Sequence, residues 1–215
     1  MFVTALLVLA TAPPPKISIE LPVVRSKSVV AAAALRDAKI WAATKKAWIL
    51  STAKRDANEP WYKELTYPYT LEITSHVSTD LPNLQSYRLT AGTYTGGAHG
   101  NGQYFSVNKV MTPTGQGDLL LAHLFLPGID YRAELAKVLH RKLSETNQAS
   151  SLEDGTVSAE NALGSAQWNV STKGIELGFD NYAVGSFAEG MPVVTVPFSE
   201  LIGLNPAGPL RFLLK

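Results

Sequence analysis

Two patterns of apolar positions alternate along the chain, one with the period of a β-strand and one with that of an α-helix. Seven segments have the apolar–polar alternation or the β-branched content typical of strands: residues 16–24, 69–78, 85–95, 102–110, 168–171, 175–179 and 192–198. Pro22 predicts that the first of them lies at a sheet edge or is shortened, because proline cannot donate to a central ladder. Pro82 and Asn83 predict an antiparallel connection between the second and the third.

Residues 29–57 and 130–148 instead carry apolar residues at helical intervals and predict two amphipathic α-helices. Asp130 is a natural N-cap for the second helix. Trp41 and Trp48 lie seven positions apart and would share a face; we expect both rings to pack against the sheet, and ligand binding is the alternative role. Strands joined by hairpins, with helices between groups of strands, predict a single α+β domain in which an antiparallel sheet is packed by helices.

Composition agrees with a globular domain. The chain has 215 residues, of which 46% are hydrophobic and 17% charged, enough to bury a sizeable core. It contains no cysteine, which excludes disulfides, thiolate metal sites, iron–sulfur clusters and thiol nucleophiles.

The first twelve residues read MFVTALLVLATA and are followed by three prolines. An apolar run ending in a small-x-small pattern is typical of a secretory signal peptide. We therefore expect residues 1–12 to be a signal peptide, residues 13–215 to be an extracytoplasmic domain, periplasmic or secreted, and no transmembrane span beyond the signal segment. A buried first strand is the alternative interpretation of this segment.

Charge is spread unevenly although the formal net charge is only +1. Residues 16–63 contain ten basic and four acidic residues, a net charge of +6, whereas residues 144–200 contain one basic and eight acidic residues, a net charge of −7. The scattered basic residues accompany no nucleic-acid-binding motif, so no nucleic-acid partner is expected. The acidic part is either an ordinary solvated surface or a region that attracts a basic partner.

Candidate chemistry concentrates in a loop rich in glycine around His99. Its predicted ligand-binding residues are Tyr94, Thr95, Gly96, Gly97, His99, Gly100 and Asn101. Tyr182, at the start of a second stretch punctuated by glycine, is added to the same predicted site. Glycines permit positive φ angles and close approach of a ligand, and histidine titrates near neutrality; a purely structural loop is the alternative.

Other spacings exclude several kinds of site. The four histidines lie far apart in sequence, without the H-x-x-x-H or H-E-x-x-H spacing of a local metal site, so no metal is predicted. The G-x-S-x-G nucleophile elbow, the dinucleotide fingerprint and the P-loop are absent from the sequence. The sequence therefore predicts no catalytic motif and no cofactor.

Three elements, in fixed order, carry a family resemblance: Y-T-G-G-A-H-G at residues 94–100, the turn and apolar positions of residues 114–125, and the glycine-, aromatic- and proline-containing pattern of residues 173–201. Over residues 69–201 the chain resembles the domain of unknown function found in RsiV-type anti-sigma factors and beside the catalytic domain of PdaC-type peptidoglycan deacetylases. The resemblance implies an exported module with an antiparallel sheet packed by helices. In RsiV-type proteins this ectodomain binds lysozyme, and in the deacetylase the chemistry belongs to a separate domain.

The leading functional hypothesis is therefore a binding module of the cell envelope, with a lysozyme-like protein or a cell-wall glycan as its partner. The alternative is an enzyme that modifies envelope carbohydrate or peptide, with His99 as acid or base beside Asp180, Glu189 or Glu200. A structural envelope protein without a small ligand is a third hypothesis. The position of His99 in the fold separates these hypotheses, since convergent polar groups around an open imidazole favour function.

Overall fold

The structure is a computed structural model that describes residues 13–214, so the predicted signal peptide lies outside the described residues. The strands are β1 Lys16–Ile19, β2 Thr70–Leu81, β3 Leu84–Tyr94, β4 Asn101–Thr112, β5 Gly115–Asp118, β6 Gln167–Val170, β7 Gly174–Gly178 and β8 Val193–Pro197. The helices are α1 Val29–Asp56, α2 Pro60–Lys63, α3 Tyr131–Ser144, α4 Ser150–Glu153 and α5 Ala159–Ser165. Short 3₁₀ turns cover residues 121–124, 187–189, 198–200 and 209–212.

Five strands form the main sheet in the order β1-β2-β3-β4-β5. The predicted α+β single domain is confirmed, but the sheet is mixed: β1 pairs with β2 in parallel, with Lys16 opposite Thr70, while the other pairs are antiparallel. Parallel neighbours need a long crossover connection, and α1 supplies it between β1 and β2. β1 is an edge strand and is short, ending at Ile19, which agrees with both outcomes predicted from Pro22.

α1 covers one face of the main sheet. The Ser28 side chain caps the helix by accepting a hydrogen bond from the Ala31 N–H at 3.1 Å. Trp41 stacks on Phe105 of β4 with ring centroids 5.0 Å apart, as predicted. The same prediction is wrong for Trp48, whose side chain is 44% exposed, because the strands below it end in small and polar residues and leave a cleft beside the ring.

β6, β7 and β8 form a second, antiparallel sheet, which the sequence patterns did not separate from the first. Its buried side chains join α3, α5 and the C-terminal segment in one hydrophobic cluster. The cluster also includes Leu84 and Val110 of the main sheet, but the second sheet presents polar side chains to the middle of β3 and β4. The buried Asn169 amide donates to the Tyr87 carbonyl at 2.8 Å and to the Ser86 hydroxyl at 3.0 Å, and its oxygen accepts from the Ser106 hydroxyl at 3.0 Å.

Within residues 13–214, none of the helices combines the length and the apolar character that crossing a bilayer requires.

Candidate functional site

The glycine–histidine loop, residues 94–101, connects β3 to β4 at one end of the main sheet. Gly96 and Gly97 both have positive φ angles, +91° and +95°, which residues with a side chain rarely adopt. The Tyr94 hydroxyl donates a hydrogen bond to the Gly97 carbonyl at 3.2 Å, which holds the turn together. The glycines are therefore needed for the path of the loop.

His99 is exposed at the tip of this loop and uses both ring nitrogens. Nδ1 lies 2.9 Å from the Gly100 carbonyl oxygen, and Nε2 lies 3.1 Å from the Tyr182 hydroxyl. Because a carbonyl oxygen only accepts, Nδ1 carries the hydrogen of the first bond, and Nε2 of the neutral ring then accepts from Tyr182. The imidazole is thus oriented by two partners although the residue is exposed.

A second loop, residues 180–191, completes an aromatic cluster formed by His99, Tyr182 and Phe187. The Phe187 ring stacks on the imidazole with centroids 3.8 Å apart and planes 20° apart. Tyr182 is 55% exposed and has a φ of +67°. An aromatic residue held in the left-handed region is unfavourable by about 1 kcal/mol or more, and such residues concentrate at functional sites.

Hydrogen bonds to β4 anchor the second loop. Asp180 accepts from the Tyr104 N–H and Asn181 accepts from the Gly102 N–H, each at 2.6 Å. These N–H groups lie on the side of β4 that faces away from β3. A Cβ on Gly102 would overlap the Met191 side chain and lie 2.8 Å from the Asn181 oxygen, so a larger residue there would displace these two side chains of the second loop.

Glu189 fixes the far end of the second loop. Its carboxylate accepts hydrogen bonds from the backbone and hydroxyl of Ser150, at 2.9 and 2.5 Å, and from those of Ser186, at 3.0 and 2.8 Å. These donors, with Ser150 contributing most, lower the pKa of Glu189 to about 2. Glu189 is therefore a charged anchor and not a free base.

Two depressions adjoin the loops, one on each face of the β3–β4 pair. The helix-side depression, of about 340 Å³, is lined by Lys45, Trp48, Ala91, Thr93, Asn101, Gly102, Gln103, Asp180 and Asn181. The loop-side depression, of about 400 Å³, is lined by Thr70, Glu72, Gly92, Thr93, Tyr94, Gly100, Asn101, Gly102, Asn181 and Phe187. They meet around the edge of β4 at Asn101, Gly102 and Asn181, so polar amides stand between two aromatic side chains, Trp48 and Phe187.

Acid–base chemistry at His99 has no carboxylate partner among the described residues. Asp180 bonds to Tyr104, Glu189 bonds to the two serines, and Glu200 pairs with Arg141 and with Lys142, the latter at 3.3 Å. Burial raises the pKa of Asp180, and the Tyr104 N–H and Lys45 offset only part of that effect. No group of three His, Asp or Glu side chains within residues 13–214 is arranged to hold a metal ion.

A larger, mainly apolar cavity of about 490 Å³ lies elsewhere, between the β4–β5 turn and the C-terminal 3₁₀ turn, and it is lined by Phe125, Ile129, Tyr131 and Phe212 among others. None of the predicted site residues lines it. Size alone would favour this cavity, but the oriented imidazole, the left-handed Tyr182 and the convergent amides all lie at the loops. We therefore take the two loops as the candidate site.

The structure brings most of the predicted site residues together. Tyr94, Gly100 and Asn101 line the loop-side depression, and His99 bonds to Tyr182, 83 residues away. Thr95 lines neither depression. Gly96 turns towards α2 and its flank, where a Cβ would lie 3.8 Å from Trp61 and 3.6 Å from Leu65.

Sequence reasoning missed Trp48, Asn181 and Phe187. The helical spacing of Trp48 is that of a core residue, and no local pattern marked it as open. Asn181 and Phe187 stand in the glycine-punctuated stretch from which only Tyr182 was chosen. Their closeness to Tyr182 in the sequence was the one feature that could have indicated them.

Comparison with known proteins finds a family profile that matches part of the chain. Residues 122–199 match the profile of a family described as "Protein of unknown function (DUF3298)". No curated protein sequence matches the chain. The fold is similar to the crystal structure of a DUF3298-family protein from Bacteroides fragilis, with a TM-score of 0.54 and 21% identity over 85% of this chain and 73% of that one. A Pseudomonas aeruginosa DUF3298-family structure matches with a TM-score of 0.45 and 18% identity over 69% of this chain and 67% of that one. Residues 122–199 are thus similar to the DUF3298 profile, and the chain shares its overall fold with a protein of that family.

Proposed function

We propose that the chain is an extracytoplasmic binding module of the cell envelope, and that its ligand is a cell-wall glycan held at the two loops. The observation that carries this proposal is the pair of depressions that meet at Asn101 and Asn181, with Trp48 at one end and Phe187 at the other. Sugar rings offer C–H faces that pack on aromatic rings and hydroxyl groups that both donate to and accept from carboxamides.

The rigidity of the site supports binding more than catalysis. Tyr182 and the Gly100 carbonyl orient His99, and Glu189 and Asn181 hold the second loop against its neighbours. A preorganised surface loses little conformational entropy when a ligand binds. The imidazole donates and accepts within the protein, so its role in this proposal is to support the Phe187 and Tyr182 rings.

Calorimetric titration with soluble peptidoglycan fragments tests the proposal. We expect Phe187→Ala and Trp48→Ala each to weaken binding about tenfold, the loss typical of a contact residue that carries binding energy. Tyr67→Ala is the matched control, because this aromatic side chain is exposed and lines neither depression. Absence of glycan binding by the wild-type chain, or unchanged affinity in both variants, would refute the proposal.

A basic, lysozyme-like protein is the second candidate ligand. Hydrogen bonds from Thr156 lower the pKa of Asp154, and the negative charge of nearby Glu189 opposes this lowering. The two carboxylates therefore place negative charge beside the second loop. Two other carboxylates of residues 144–200 already pair within the protein, since Glu176 lies 3.5 Å from Arg88 and Glu200 pairs with α3. Titration with a basic lysozyme at low and moderate salt decides this version, and no binding at low salt would exclude it.

A further inference from the structure

A different surface lies on the side of α1 that faces away from the sheet. We call it the outer face of α1, and its long exposed side chains at helical spacing are Arg36, Lys39, Ile40, Lys46, Leu50 and Lys54, with the small residues Ala43 and Ala47 between them. Ile40 is 59% and Leu50 44% exposed. A helix that only packs on a sheet needs one apolar side, so its inward packing does not account for these two residues.

The charge of this face is of one sign. α1 contains two acidic residues, and both turn towards the protein: Asp37 lies 2.6 Å from the Lys109 ammonium of β4, and Asp56 accepts from the Tyr69 hydroxyl at 2.9 Å. Lys39, Lys46 and Lys54 form no ion pair among the described residues. Arg36 lies 3.3 Å from Asp37, so the three lysines are the cations of the outer face without an acidic partner, and they alternate with exposed aliphatic side chains.

We propose that the outer face of α1 docks on an anionic lipid surface. The lysines and Arg36 would lie among the headgroups, while Ile40 and Leu50 enter the boundary between headgroups and acyl chains. Long basic side chains suit this arrangement because their stems lie along apolar surface while their charged ends reach the anionic groups. Each cation near such a surface strengthens binding about fivefold.

Other occupants fit the surface less well. A second copy of the same face would bring lysines against lysines, which opposes association. A soluble polyanion would use the cations but would leave Ile40 and Leu50 in water. The interleaving of both kinds of side chain along about 27 Å of helix, from Arg36 to Lys54, favours an interface that is itself anionic outside and apolar beneath.

Co-sedimentation of the full chain with vesicles tests the charge requirement. We expect binding to phosphatidylglycerol–phosphatidylcholine vesicles and little to phosphatidylcholine alone. The triple variant Lys39→Gln, Lys46→Gln, Lys54→Gln should bind about a hundredfold more weakly. The control triple Arg132→Gln, Lys173→Gln, Arg211→Gln removes the same formal charge from exposed positions off the outer face and should bind like the wild type. Every variant keeps residues 1–12, so any contribution of that segment cancels.

A second variant separates lipid docking from simple attraction between charges. Ile40→Ser with Leu50→Ser keeps every cation and should lower vesicle binding about tenfold. No preference for anionic vesicles would overturn the proposal, as would equal losses in the two triple variants. Unchanged vesicle binding by the Ile40–Leu50 double variant would also overturn it and would identify a surface for soluble polyanions instead.

Discussion

The two faces of the β3–β4 pair are covered in opposite ways. On one face Tyr87, Leu89 and Val107 pack against the alanines and Ile49 of α1 in an apolar cluster. On the other face Ser86 and Ser106 meet Asn169 and its neighbours through hydrogen bonds between buried polar groups. Apolar packing tolerates exchange of similar shapes, whereas a hydrogen-bonded interface requires particular atoms in particular places. The second face therefore determines how the loops of the site are positioned.

The polar face should show the largest effect of a substitution that conserves volume. Asn169→Leu removes the hydrogen bonds that Asn169 makes to the Tyr87 carbonyl and to two serine hydroxyls, and we expect it to lower the free energy of unfolding by about 3 kcal/mol. Leu89→Met on the apolar face should lower it by less than about 1.5 kcal/mol. Urea unfolding measures both changes in free energy. Similar small losses of stability in the two variants would show that the two faces do not differ in this way.

Substitutions at the contact between the polar face and the second loop should have the next largest effect on the free energy of unfolding. Gly92 and Gly102 are opposite each other in the β3–β4 register, but a Cβ at Gly92 meets nothing within 4 Å, whereas one at Gly102 overlaps Met191. We expect Gly102→Ala to lower the free energy of unfolding by about 1–3 kcal/mol and Gly92→Ala to leave it unchanged. Thermal unfolding of the two variants measures this difference. Equal midpoints for Gly102→Ala and Gly92→Ala would show that the second loop does not pack against β4.

Acid should loosen the same loop through Glu189. Its folded-state pKa of about 2 lies below the ordinary 4.5, so its contribution to stability is complete above pH 4.5 and is lost as the pH falls through 2. Glu189→Gln should therefore flatten the decline of the thermal midpoint in this interval. If the thermal midpoint fell with pH at the same slope in the wild type and in Glu189→Gln, Glu189 would not anchor the loop.

The exposed aromatic cluster should contribute least to stability. Tyr182→Phe removes one solvent-exposed hydrogen bond to His99 and should change the free energy of unfolding by less than about 0.5 kcal/mol. Chemical denaturation checks this expectation. A loss above 1.5 kcal/mol would mean that the cluster is part of the scaffold and not a surface reserved for a ligand.

The contrast between the faces also explains what could be predicted from sequence. Strands β2 to β4 and helices α1 and α3 were predictable because one face of each is apolar with a clear period. The parallel pairing of β1, the separation of the second sheet and the Asp180–Tyr104 bond depend on partners far along the chain. Alternation specifies which side of a strand is buried, but it does not specify which strand lies beside it.

The candidate site was predictable in part for the same reason. The positive φ angles of Gly96 and Gly97 follow from local sequence, and the loop stood out by composition. The stacking of Phe187 on His99 and the exposure of Trp48 arise only from tertiary packing.

Nuclear magnetic resonance tests most directly whether the loops bind a glycan. Soluble peptidoglycan fragments should shift the amide signals of Asn101, Gly102 and Asn181 and the indole signal of Trp48 in a saturable manner. Shifts confined to the outer face of α1 or to the apolar cavity near Phe125, with the loop signals unmoved, would contradict the account.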